Sequence, residues 1–241
     1  MTDDVSKLAV PGSALEAEAG KPAEDASAVE LRGFGLAGIL AIIIILTATL
    51  IYVPLGAALV VLWVWRSRTP WREIGYTRPR SWIRSVIAGI AFGSAFKLLM
   101  KAIVMPLLGA PPINRAFHDL VGNRGAILGF LLTILAFAAF GEETVFRGYL
   151  FERFGKLFGN GVGAKTAVVL ITSVLFGLAH YRVQGLSGTE QATIVGLVFG
   201  TIFAVTGRIW TLMVTHLAFD LTAYAIIYWN LETKVAHMVF K

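Results

Sequence analysis

The chain contains no cysteine. A disulfide framework and a thiol nucleophile are therefore both excluded, and cysteine usage carries no information about redox compartment. Charge is scarce as well. Of the 241 residues only 15% are Asp, Glu, Lys or Arg while 56% are hydrophobic, and soluble domains carry about 25% charged residues. Runs such as Leu36–Leu46, Ala57–Trp65 and Ile127–Phe140 hold no charged side chain at all. A hydrocarbon layer about 30 Å thick takes roughly 20 apolar helical residues to cross, and lipid accepts only helices or closed barrels. The composition implies an all-α fold, a polytopic transmembrane helical bundle of about six to eight membrane helices. The lipid bilayer is its first partner.

A net charge of +6 would suit nucleic acid, but the placement of that charge argues against it. Arg66, Arg68, Arg72, Arg78, Arg80 and Arg84 crowd one short loop between apolar runs. That is the pattern of the positive-inside rule, so the loop is read as cytoplasmic and nucleic acid is not expected as a partner. The expected location is the cell (inner) membrane, as a multi-pass integral protein.

Residues 1–30 are polar and include Pro11, Gly12, Gly20 and Pro22, the composition of a disordered tail. They lack the basic start and immediate apolar stretch of a secretory signal. The N-terminal membrane region, 31–66, would be roughly 50 Å long as one helix. Pro54 and Gly56 favour two segments instead, at about 33–51 and 54–66. Further spans run from about Trp82 to Leu108, Ala126 to Phe151, Ala164 to His180, Thr189 to Val205 and Ile209 to Trp229. The short turn at Gly207–Arg208 makes the last two an antiparallel hairpin. Residues 84–229 read as the functional core and 230–241 as a C-terminal tail.

Ionisable groups inside a span cost a few kcal/mol each, and here they form three clusters. The first is Gly141-Glu142-Glu143-Thr144-Val145-Phe146-Arg147-Gly148, in which Glu143 and Arg147 have the i, i+4 order of a helical ion pair. Such a pair can simply tether helices, but that leaves Glu142 unexplained, since it points about 100° away on an α-helix. The second is Phe176-Gly177-Leu178-Ala179-His180, where a lone histidine at a span end is most often an interfacial or capping residue. The third is His216-Leu217-Ala218-Phe219-Asp220, two titratable groups one turn apart and well inside the last span. Such groups should face each other or a wet cavity.

A carboxylate and a histidine are the ordinary means of activating a water, and a second histidine beside a hydrogen-bonding group suits an oxyanion. No Gly-x-Ser-x-Gly elbow and no His-Glu-x-x-His zinc signature occurs, so covalent catalysis lacks support. Intramembrane Glu, Asp and His are equally typical of a proton-coupled transporter. The inverted repeats and broken helices of such carriers are not apparent.

Glu-Glu-x-x-x-Arg at 142–147, Phe-x-x-x-His at 176–180 and His-x-x-x-Asp at 216–220 resemble, in order and spacing, the motifs of the CPBP (CAAX protease and bacteriocin-processing, or Abi) membrane peptidases, which include the type II CAAX prenyl endopeptidases. The resemblance covers roughly residues 84–229. It implies an intramembrane endopeptidase, a hydrolase acting on membrane-associated peptide or protein substrates, prenylated CAAX-type ones among them. Glu142 and His180 would activate the water, and His216 and Asp220 would position it or hold the oxyanion. Glu143, Arg147 and Phe176 would support the site. The family more often has Asn at the position of Asp220. The resemblance favours a metal-free reaction without cofactor. The alternative is zinc held by Glu142, His180 and His216. A catalytically silent relative, acting as an immunity or scaffold protein, is the other reading.

Overall fold

A computed structural model describes residues 25–240 of the chain. Its elements are helices, with no strand among the described residues. Helix α1 (Ala26–Arg32) meets α2 (Leu36–Ile51) at a bend of 57°. After a single extended residue, Tyr52 (φ −158°, ψ 105°), the chain turns back as α3 (Val53–Arg66). Pro54 lies in the first turn of α3, where its missing N–H costs nothing. A Cβ on Gly56 would stand 2.9 Å from the Cα of Thr49, so glycine lets α2 and α3 meet backbone to backbone. Two helices, Leu36–Ile51 and Val53–Arg66, thus lie close to the segments expected at 33–51 and 54–66.

Helix α4 (Trp82–Leu107) lies against α7 (Ile209–Tyr228) in the most extensive helix pairing of the bundle. Gly89 and Gly93 allow it: a Cβ on Gly89 would meet Val214 Cβ at 2.9 Å, and one on Gly93 would meet Ala218 Cβ at 3.0 Å. Small residues one turn apart are the usual way for membrane helices to come close, because lipid gives no hydrophobic drive to association. Helix α5 (Arg124–Phe158) is packed between α3 and α7.

Helix α6 (Val162–Thr206) covers 45 residues, which as a straight rod would reach roughly 68 Å. It is not straight. Gly185 adopts φ 65°, ψ −159°, a backbone conformation open essentially to glycine alone, and the helix doubles back there. Gly196 is so close to Ser173 that a Cβ would stand 2.8 Å from its Cα, and Gly200 faces Val169. The two legs, 162–184 and 186–206, are therefore antiparallel and close to the separate spans expected at 164–180 and 189–205.

Among the described residues α4, α5, α6 and α7 are long and apolar enough to cross a membrane, and the bent α1–α2 pair makes a fifth. The expected count of six to eight is not confirmed: α3 has only 14 residues, and the two legs of α6, folded back at Gly185, enter this tally as one span. Two further readings need correction. Residues 1–24 of the polar tail lie outside the described residues, but 26–30 belong to α1, with Asp25 as its N-cap. Arg66 and Arg68 lie within 3.2 and 3.7 Å of Asp25, and with the Ser27 hydrogen bond they hold its carboxyl below the usual range. The C-terminal segment is also not a simple tail. It forms α8 (Glu232–Ala236) and buries Glu232, which accepts from Lys101 Nζ at 3.1 Å and from the Asn114 backbone N–H at 2.9 Å.

Candidate active site

The first cluster lies on a widened stretch of α5. Residues Ile134–Tyr149 are π-helical, with i→i+5 hydrogen bonds, a winding found most often at functional sites. Wider winding turns consecutive residues through less than the α-helical 100°, so Glu142 and Glu143 both reach towards α7. Glu143 is fully buried. Its Oε1 accepts from Arg147 Nη1 at 3.1 Å and from His216 Nδ1 at 2.7 Å. Arg147 packs over the rings of Phe176, 4.4 Å away, and Phe199, 5.5 Å away.

Glu142 faces the other way, into a cavity. Its Oε1 stands 4.0 Å from His180 Nε2 and its Oε2 stands 3.7 Å from His216 Nε2. Both histidines are oriented through their other nitrogen. His180 Nδ1 is 2.8 Å from the carbonyl oxygen of Phe176, which can only accept, so Nδ1 carries the proton. His216 Nδ1 meets a carboxylate already paired with a guanidinium, so it too is the donor. Each Nε2 is thereby turned towards Glu142. Asp220 completes the group, with Oδ2 3.9 Å from His216 Nε2. Phe176 touches both histidine rings edge-on, at 4.8 and 6.1 Å between centroids.

All seven residues singled out from the three motifs thus stand together. Glu142, His180, His216 and Asp220 face the cavity, with Phe176 in its wall. Glu143 and Arg147 lie behind His216 in the protein interior. The cavity has a volume of about 780 Å³ and runs between α4, α5, α6 and α7. At the end of the bundle away from the arginine-rich loop it is lined by residues 111–116, by Val183, Gln184, Ser187 and Gly188, and by Glu232, which form its rim. That loop is tied to the site helix from the opposite end. Thr144 Oγ1 donates to the Phe140 carbonyl at 2.6 Å, so at 2.7 Å it accepts from the Tyr76 hydroxyl. Burial pushes the Tyr76 phenol above its ordinary range.

Among the described residues no three His, Asp or Glu side chains stand as a set that could hold a metal ion. The set considered for zinc, Glu142, His180 and His216, is close together but does not have that arrangement.

Three contributors were not singled out from the sequence. Phe199 packs on His216 with centroids 5.5 Å apart, a contact with no sequence signal. Lys97 and Gln191 line the cavity and are hydrogen-bonded to each other at 3.0 Å. Lys97 did have a signal, being a charge inside an apolar span.

Neither the curated proteins nor the solved structures include a match to the chain. A family model does match, over a stretch that contains all three motifs. Residues 124–222 fit the model described as Type II CAAX prenyl endopeptidase Rce1-like, a match consistent with the CPBP membrane peptidases.

Proposed function

We propose that this protein is an intramembrane endopeptidase that hydrolyses membrane-associated peptides, prenylated CAAX-type substrates among them, by direct attack of an activated water. The observation that carries the reading is the convergence of His180 Nε2 and His216 Nε2 on the two oxygens of Glu142, at 4.0 and 3.7 Å, in a cavity large enough for a peptide. Those separations are too long for direct hydrogen bonds and suit a water held between the groups.

In this mechanism Glu142, assisted by His180, takes a proton from the water as its oxygen attacks the scissile carbonyl carbon. His216, held as the imidazolium among the carboxylates of Glu143, Glu142 and Asp220, keeps its Nδ1–H on Glu143 and donates its Nε2–H to the developing oxyanion. The C–N bond then breaks as the proton passes from Glu142 to the leaving amine. The water's oxygen ends in the new carboxyl group and no covalent enzyme intermediate forms. Arg147 neutralises Glu143, and Phe176 and Phe199 keep bulk water from the pair.

The test is cleavage of an internally quenched farnesylated peptide, ending Cys-aliphatic-aliphatic-X, by purified protein in detergent. Turnover by the parent and its loss in Glu142→Gln are expected. Comparative peptidomics of membranes carrying the parent or Glu142→Gln extends the test to natural substrates. Equal turnover by both proteins overturns the glutamate mechanism.

A further inference from the structure

Two lysines follow one another along α4 towards the cavity rim, and their surroundings differ. Lys101, nearer the rim, is ion-paired with Glu232 at 3.1 Å and also donates to the Pro112 carbonyl. Lys97, one turn deeper, is 8% exposed and lines the cavity with Glu142, His180, His216 and Asp220. Its ammonium donates to the neutral amide of Gln191 at 3.0 Å and lies 4.7 Å from the centre of the Phe219 ring. Among the described residues no carboxylate is within ion-pair distance of Lys97. Asp220, one residue from Phe219, belongs to the same wall and attracts the ammonium from beyond that distance, without supplying it a hydrogen-bond acceptor.

A buried ammonium in a membrane span ordinarily has an anionic partner, because desolvating it unpaired costs several kcal/mol. An amide and an aromatic face make an incomplete shell. An ammonium has three donors, and only one of them has an acceptor here. The open donors await an acceptor in direct contact, and an anion that enters the cavity supplies one. On the peptidase reading the occupant is a peptide, and the only anions a plain peptide has are carboxylates.

We infer that Lys97 is a substrate-binding residue that recognises a carboxylate of the bound peptide, either its free C-terminus or an acidic side chain close to the cleaved bond. Gln191 holds the ammonium in place and the Phe219 ring supports it from below. The site favours a peptide whose negative end lies next to α4 while its scissile bond faces Glu142.

Binding separates this inference from the peptidase reading on which it rests. The probe is a fluorescent farnesylated peptide ending Cys-aliphatic-aliphatic-X, prepared as the C-terminal acid, as the carboxamide, and as a carboxamide with Glu at its last position. Anisotropy is measured with purified protein carrying Glu142→Gln to prevent turnover, alone and combined with Lys97→Gln or Lys97→Arg. The acid is expected to bind at least about tenfold more tightly than the carboxamide. Lys97→Gln removes that preference without weakening carboxamide binding, and Lys97→Arg retains it. Recovery of affinity by the Glu-bearing carboxamide assigns the contact to a side-chain carboxylate, and no recovery assigns it to the terminus. Equal binding of acid and carboxamide overturns the inference, as does a preference that survives Lys97→Gln or the absence of binding by every form. If Lys97→Gln does not fold, the acid-versus-carboxamide comparison on the Lys97 protein still decides. Acid-selective binding together with no cleavage by the parent would sink the peptidase reading and leave the carboxylate site standing.

Discussion

His216 donates its Nδ1–H to Glu143 Oε1 at 2.7 Å, between residues 73 positions apart in the chain. The same oxygen accepts from Arg147, so one carboxylate both neutralises a buried guanidinium and sets the orientation of a cavity-facing histidine. The two partners of Glu143 are not equivalent. Glu143→Ala strands Arg147 as an unpaired buried charge and frees the His216 ring, whereas Arg147→Met leaves Glu143 with the His216 donor. We expect Glu143→Ala to lose about 3–5 kcal/mol of stability and Arg147→Met to lose clearly less. Thermal melts of the purified proteins in one detergent measure both. Equal losses, or none, would contradict this network.

Glu142 has no such structural duty. Its carboxylate faces the cavity and touches neither histidine within hydrogen-bonding distance. Glu142→Gln should therefore express, insert and melt like the parent while turnover falls by at least about 10²-fold, the lower range for loss of a general base. Parent-like activity in that variant would remove Glu142 from the mechanism.

Asp220 is 3.9 Å from His216 Nε2, one turn away on the same helix. If it acts by hydrogen bonding, Asp220→Asn keeps the shape and the capacity to donate or accept, and should retain much of the activity. Asp220→Ala should lose about 10²–10³ in turnover, the usual cost of removing an oxyanion donor. Rates of both variants across pH provide the measurement. If the Asn variant is as inactive as the Ala variant at every pH, the carboxylate itself is required.

The cavity rim and the arginine-rich loop lie at opposite ends of the bundle, which makes topology testable through single cysteines in a chain that has none of its own. Thr77→Cys, exposed in that loop, should react with an impermeant maleimide only from the cytoplasmic side. Ala116→Cys, exposed beside the rim, should react only from the other side. Labelling of Thr77→Cys in intact cells would reverse the orientation, and with it the face from which a substrate enters.

The sequence by itself determined the helical membrane architecture, because long runs free of charge have no other stable form in lipid, and it determined which residues are costly enough to require a purpose. Glu142, His180, His216 and Asp220 stand out for that reason alone. Helical spacing was enough for the Glu143–Arg147 pair, which is local. Spacing could not reveal that Glu143 also holds His216, that α5 widens so that both glutamates reach α7, that the first leg of α6 sets His180 beside Glu142, or that Gly185 folds the second leg back. Those relations depend on how closely helices approach, which here depends on glycines at 89, 93, 177 and 196 meeting particular neighbours. Two acidic residues were missed for a related reason: Asp25, partly buried, and Glu232, buried, look solvent-exposed by composition, and only the folded bundle supplies the arginines, lysine and backbone N–H group that hold them.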